Sequence, residues 1–108
     1  MAKRLLIIVQ LDPSSTLGRV AQDMPLILKM LGGFSKETPL PAFRSSDGIL
    51  SGFFIETEKP AGMIQAEFVS CQGTTNQDSA MILEIGDEIA GTAGMSRAWT
   101  WLQHRKRQ

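Results

Sequence analysis

Asp12 is the first residue of this chain whose type and place suggest chemistry. It ends the apolar run that begins at Leu5 and stands directly before Pro13-Ser14-Ser15-Thr16. A carboxylate at the carboxyl end of a strand can hold a divalent cation or act as a base, and the same residue before proline and hydroxyls also makes an ordinary turn into a helix. One acid is not a site. A metal role for Asp12 needs a second carboxylate, from Glu56 and Glu58 or from Asp87 and Glu88, acids expected at strand ends that the sequence does not force together. A second candidate is Arg44-Ser45-Ser46-Asp47, where a guanidinium, hydroxyls and a carboxylate crowd one hairpin tip. Such a set can grip a phosphate or carboxylate ligand, which makes Arg44, Ser46 and Asp47 candidate ligand residues; read as turn chemistry alone, they are a solvated hairpin.

A third group lies near the end of the chain. On a helix Trp99 and Trp101 project about 200° apart, so they cannot both face one core stripe. With Trp99 on the side of Met95, Ala98 and Leu102, Trp101 becomes the candidate for a subunit contact or a ligand-pocket wall. Arg97 beside them can stack on an indole or pair with an acid.

Other chemistries find no support. Ser79 and Ser96 sit in no nucleophile-elbow pattern, and the single histidine, His104, lies in a basic run. Gly91-Thr92-Ala93-Gly94 lacks the lysine and spacing of a phosphate loop, and Gly32-Gly33 ends a helical pattern instead of opening one. One cysteine, Cys71, and one histidine cannot build the common structural zinc sites, and a lone cysteine forms no internal disulfide, which fits a reducing compartment. No cofactor is expected. With 11 Lys+Arg against 11 Asp+Glu there is no net field to favour nucleic acid or an anionic membrane. The basic cluster Arg105-Lys106-Arg107 is too short to neutralise many phosphates and would complement a helix C-terminus.

These residues depend on elements that the hydrophobic pattern sets out. At 108 residues, 43% of them hydrophobic, the chain suffices for one core and is read as a single domain, 1–108. Lys3-Arg4 followed by Leu5 to Val9 is too short for a signal peptide or a membrane span and reads as a buried first strand, Arg4 to Leu11. Pro13 to Thr16 offers N-cap oxygens for a helix whose apolar face is Leu17, Val20, Met24, Ile27, Leu28 and Leu31. Pro25 is expected to kink or end it, with Asp23 capping a second segment. A short or edge strand at Leu40 to Arg44, a turn at Asp47-Gly48 with positive φ, and a strand at Ile49 to Glu56 form a hairpin. A helix follows Pro60, with Ala61, Ile64, Phe68 and Cys71 on one face; then come a polar loop, a strand at Ala80 to Ile85, and a last helix capped by Ser96.

The fold expected is therefore α+β, a ferredoxin-like split βαβ sandwich in the order β-α-β-β-α-β with an additional C-terminal helix. This order, with Asp12 closing the first strand, looks like the small CRISPR-associated nucleases of ferredoxin-like fold; the likeness lies in element order and one acid. It implies metal-dependent cleavage of a phosphodiester through Asp12. The leading expectation is different: a small soluble, cytoplasmic, non-catalytic module that binds a small molecule or a protein partner, homodimeric through the open sheet face and the last helix. A metal-dependent nuclease using Asp12, and an accessory nucleic-acid binder using Arg44 and the terminal basic cluster, are the alternatives.

Overall fold

The computed structural model describes residues 2–86. Their elements run β1 (Lys3–Gln10), α1 (Leu17–Gly32), β2 (Leu40–Arg44), β3 (Leu50–Thr57), α2 (Ala61–Ser70) and β4 (Ser79–Glu84). The strands form one sheet in the order β2-β3-β1-β4, every neighbouring pair antiparallel. The chain is thus α+β, with a four-stranded antiparallel sheet and two helices in this region. The helix expected from Ser96 lies outside the described residues.

Strand β1 is central because its residues are apolar on both faces. Leu5, Ile7 and Val9 are buried toward the helices, and Leu6 and Ile8 are half-buried on the other face. The register carries this alternation across the sheet: Leu5 stands opposite Ile55 and Ile7 opposite Phe53, while Leu6 stands between Phe54 and Leu83. Helix α1 brings Val20, Ile27 and Leu31 onto the first face, and α2 adds Ile64 and Phe68, which closes the main core. Each of these side chains contributes about 1.5–3 kcal/mol when fully buried.

Thr16 starts α1 by accepting a hydrogen bond from the backbone N–H of Arg19 at 3.1 Å. Of the two outcomes expected at Pro25, a kink or an end with a second segment, the helix does not end; α1 is one helix of 16 residues with Pro25 inside it. A proline in a helix interior costs about 3 kcal/mol in lost hydrogen bonding and steric clash. Here Ala21 and Pro25 lie on the exposed side, where water reaches the carbonyl left over, and the buried stripe of Val20, Ile27 and Leu31 runs past them. Asp23 caps nothing and pairs with Arg19 one turn earlier, at 2.8 Å.

Proline also marks β2 as an edge. Pro41 removes a backbone donor, and a register shift between Pro41 and Phe43 makes a bulge, two features that sheet edges tolerate. In the turn that follows, Gly48 alone has positive φ, at 75°, so Asp47 does not share that role. Gly52 is needed for a different reason: a Cβ there would stand 2.2 Å from the ring of Phe43, which lies on the bare backbone of β3.

Candidate functional site

Three regions hold the residues that the sequence singles out. At the end of β1, Asp12 turns its carboxylate back on its own loop. Its Oδ1 accepts from both the backbone N–H and the hydroxyl of Ser14, each at 3.0 Å, a local turn that leads into α1. Glu56 stands opposite Arg4, near the other end of β1, and Glu58 lies beyond it, 4.0 Å from Lys36. The six residue steps from Arg4 to Gln10 already span about 20 Å of strand, so the register keeps both acids away from Asp12. Among the described residues no three His, Cys, Asp or Glu side chains are grouped so as to hold a metal ion. Asp87 and Glu88 lie outside the described residues.

The acid that matters beside Asp12 is one that the sequence reading left in a polar loop. Asp78 has no exposed side-chain surface and accepts four hydrogen bonds. Its Oδ1 takes the backbone N–H of Asp12 at 2.8 Å and Nη1 of Arg19 at 3.0 Å; its Oδ2 takes Nη2 of Arg19 at 2.6 Å and the backbone N–H of Thr75 at 2.8 Å. Arg19 completes its donor set on Asp23, Ser15 and the carbonyl of Gly73. Burial pushes the Asp78 carboxyl up, but the hydrogen bonds from Arg19, Thr75 and Asp12, with the Arg19 charge, outweigh it and hold the group below the usual carboxylate range. The hydrogen bond to Asp78 in turn raises the Arg19 pKa against burial. Every donor of the guanidinium has an acceptor, so this cluster clamps α1, the end of β1 and the α2–β4 loop together.

At the hairpin tip, the three candidate residues Arg44, Ser46 and Asp47 part company. Asp47 Oδ1 accepts the Ser45 hydroxyl at 2.7 Å and the Ile49 N–H at 3.0 Å, and Ser45 Oγ accepts the Leu50 N–H at 3.0 Å. The Ser45 hydroxyl and the Ile49 amide together hold the Asp47 carboxyl below its ordinary pKa. Asp47 therefore shapes the turn, and Ser46 is exposed on its rim. Arg44 goes elsewhere. Its guanidinium lies against Gly48, and it borders a groove of about 360 Å³ between α1 and the β2–β3 hairpin. Leu17, Val20, Met24, Leu28 and Phe53 supply its apolar walls.

The third region is the sheet face away from the helices. Phe54 is buried there by Leu6, Leu40, Ala42 and Ile85. Toward β4 the apolar surface is open: Met81 is 57% exposed and Leu83 42%. Arg97, Trp99 and Trp101, the remaining interface candidates, lie outside the described residues, as do His104 and the basic cluster after it. No helix among the described residues is long and apolar enough to cross a membrane.

Compared with protein-family models, with curated proteins and with solved structures, the chain matches none. The site therefore has to be argued from its own geometry. The sequence reading missed Arg19, Asp78 and the groove. The first pair carried one local sign, the Arg19 and Asp23 spacing of four on a helix; the groove carried none, since its walls come from three separate elements.

Proposed function

We propose that this chain is a binding module rather than an enzyme, built as a ferredoxin-like split βαβ sandwich and working as a homodimer through β4. The observation that carries this reading is the contrast between the two edges of the sheet. Strand β2 is guarded by Pro41, a bulge and Arg44. Strand β4, Ser-Ala-Met-Ile-Leu-Glu, has no proline, bulge or lysine, and among the described residues it pairs with β1 alone. An unguarded edge flanked by exposed Met81 and Leu83 is a template for another strand.

A second copy fits that template. Antiparallel partners directly opposite each other share a face, so a twofold pairing of β4 with itself must be centred on a residue. Centred on Ile82, it sets Met81 opposite Leu83 of the other copy on the open face and Ile82 opposite Ile82 on the helix side. The contact is self-complementary, as a twofold interface requires. Sedimentation velocity on the full chain tests it, with the double variant Met81→Lys, Leu83→Lys as comparison. A dimer that dissociates in the variant supports the reading. A wild-type monomer at high concentration, or a dimer indifferent to the substitutions, overturns it.

A further inference from the structure

The groove under the β2–β3 hairpin holds two polar groups that the fold itself does not use. Arg44 and Ser51 are direct cross-strand partners in the β2–β3 register and point to the helix side of the sheet. Ser51 is 2% exposed and lines the groove, yet among the described residues its hydroxyl makes no hydrogen bond. Buried hydroxyls are nearly always paired, and one that is not calls for a partner. Thr57, on the same strand and equally buried, shows the usual state: its Oγ1 accepts the N–H of Lys59 at 3.1 Å. Arg44 forms no ion pair or hydrogen bond among the described residues either. Its guanidinium lies beside Gly48 at the edge of the groove. A Cβ on Gly48 would be 3.4 Å from both Nε and Nη2 of Arg44 and 2.9 Å from Val20, so the guanidinium sits against the turn while the bare glycine lets the hairpin close on α1.

From this arrangement we infer that the groove is a binding site for a hydrophobic monocarboxylate. The carboxylate meets the Arg44 guanidinium and the Ser51 hydroxyl at one end, and a hydrocarbon body lies among Leu17, Val20, Met24, Leu28 and Phe53. A single cation beside a neutral donor suits one planar carboxylate. The volume of about 360 Å³ is at the small end for ligand pockets, which run from roughly 300 to 1,000 Å³. The site lies at the β2 edge, on the helix side, and β4 is the opposite edge of the sheet. The inference therefore stands or falls separately from the dimer.

Calorimetric titration of the full chain with decanoate, below its aggregation concentration, tests the site, with decanol as the uncharged control. Decanoate binds at one site per chain, and decanol binds at least tenfold more weakly. Arg44→Gln, a change on an exposed side chain, weakens decanoate about ten- to a hundredfold. Ser51→Ala weakens it several-fold while leaving the unliganded protein as stable as before or more so, because it removes an unpaired buried hydroxyl. A residue with a purely structural role would move both quantities the same way. Absence of decanoate binding, equal binding of decanol, or unchanged affinity in Arg44→Gln overturns the inference.

Discussion

Replacing Asp78 by Asn is the sharpest test of how this fold is held together. The two side chains have the same shape, so the change alters hydrogen bonding and charge without opening a cavity. Each carboxylate oxygen of Asp78 accepts two donors, one from Arg19 and one backbone N–H. Whichever way the new amide turns, its NH2 faces two donors, and two hydrogen bonds are lost, one of them from a charged group. A neutral hydrogen bond contributes about 1 kcal/mol and one to a charged group about 1.5–3 kcal/mol. With the unpaired donors left behind, the expected loss is about 3–5 kcal/mol, as for other broken buried pairs. For a domain of this size each kcal/mol lowers Tm by about 4–8 °C, so the variant melts at least about 12 °C lower. Urea unfolding followed by circular dichroism gives the free energy directly. In a double-mutant cycle with Arg19→Gln, the pair shows a coupling above about 1 kcal/mol. The pH dependence supplies a second reading. Because the folded pKa of Asp78 is depressed, its contribution is complete above the unfolded value of about 4 and disappears as pH falls through the folded value. Asp78→Asn removes that part of the acid limb. A loss below about 1 kcal/mol, with an unchanged acid limb, would refute the view that this cluster clamps the fold.

Two glycines give further tests. Gly48→Ala must place a Cβ at φ 75° and 2.9 Å from Val20 Cγ1, which lowers stability by about 1–3 kcal/mol in urea titration; a neutral result would mean that the turn does not hold this conformation. Gly52→Ala drives a Cβ into the Phe43 ring. Since that ring is 41% exposed on an edge strand, it swings outward at a cost of about 1–2 kcal/mol, and amide exchange quickens in Leu40–Arg44 with little change in β1. Unaltered exchange in β2 would show that the ring does not rest on Gly52.

What could be read from the residues was local and periodic. The apolar run of β1, Pro41 in a strand confined to the edge, the Asp47-Gly48 turn and the buried stripe of α1 all follow from spacings of one to four residues. Pro25 left open whether α1 ends there, and the helix runs on because the proline's cost falls on an exposed side while the stripe that anchors the helix lies elsewhere on its surface. The clamp was harder to see. Arg19 and Asp78 are separated by 59 positions and meet only because the sheet order sets the α2–β4 loop beside the start of α1. Asp78 in a run of threonine, asparagine and glutamine has the composition of a solvated loop, and nothing in that composition announces a buried carboxylate. Arg44 was legible as a candidate, but its neighbours in sequence were the wrong partners. The turn engages Asp47, and the residue that stands with Arg44 is Ser51, seven positions on and across the hairpin.

The distribution of charge and apolar surface then separates structural from recognition roles. At the carboxyl end of β1, Arg19 joins Asp23 to Asp78, and Asp78 also takes the backbone N–H of Asp12, which closes the loops around the core. At the β2 edge the reverse holds: the bulge and Pro41 keep another strand away, so the groove beneath can stay open to a small molecule. At the β4 edge no described residue guards the backbone, and the exposed apolar side chains beside it are Met81 and Leu83. A ligand site and a subunit contact on opposite edges of one sheet share only β3 and β1 between them. A ligand bound beside Arg44 could influence assembly through those two strands, whose helix-side residues from Ser51 to Thr57 and from Leu5 to Val9 are buried, or through α1, which lines the groove and is tied by Arg19 to Asp78 at the start of β4. Packing of this kind resists small displacements, so decanoate binding and β4 pairing should be thermodynamically independent, each measured affinity unchanged by saturation of the other.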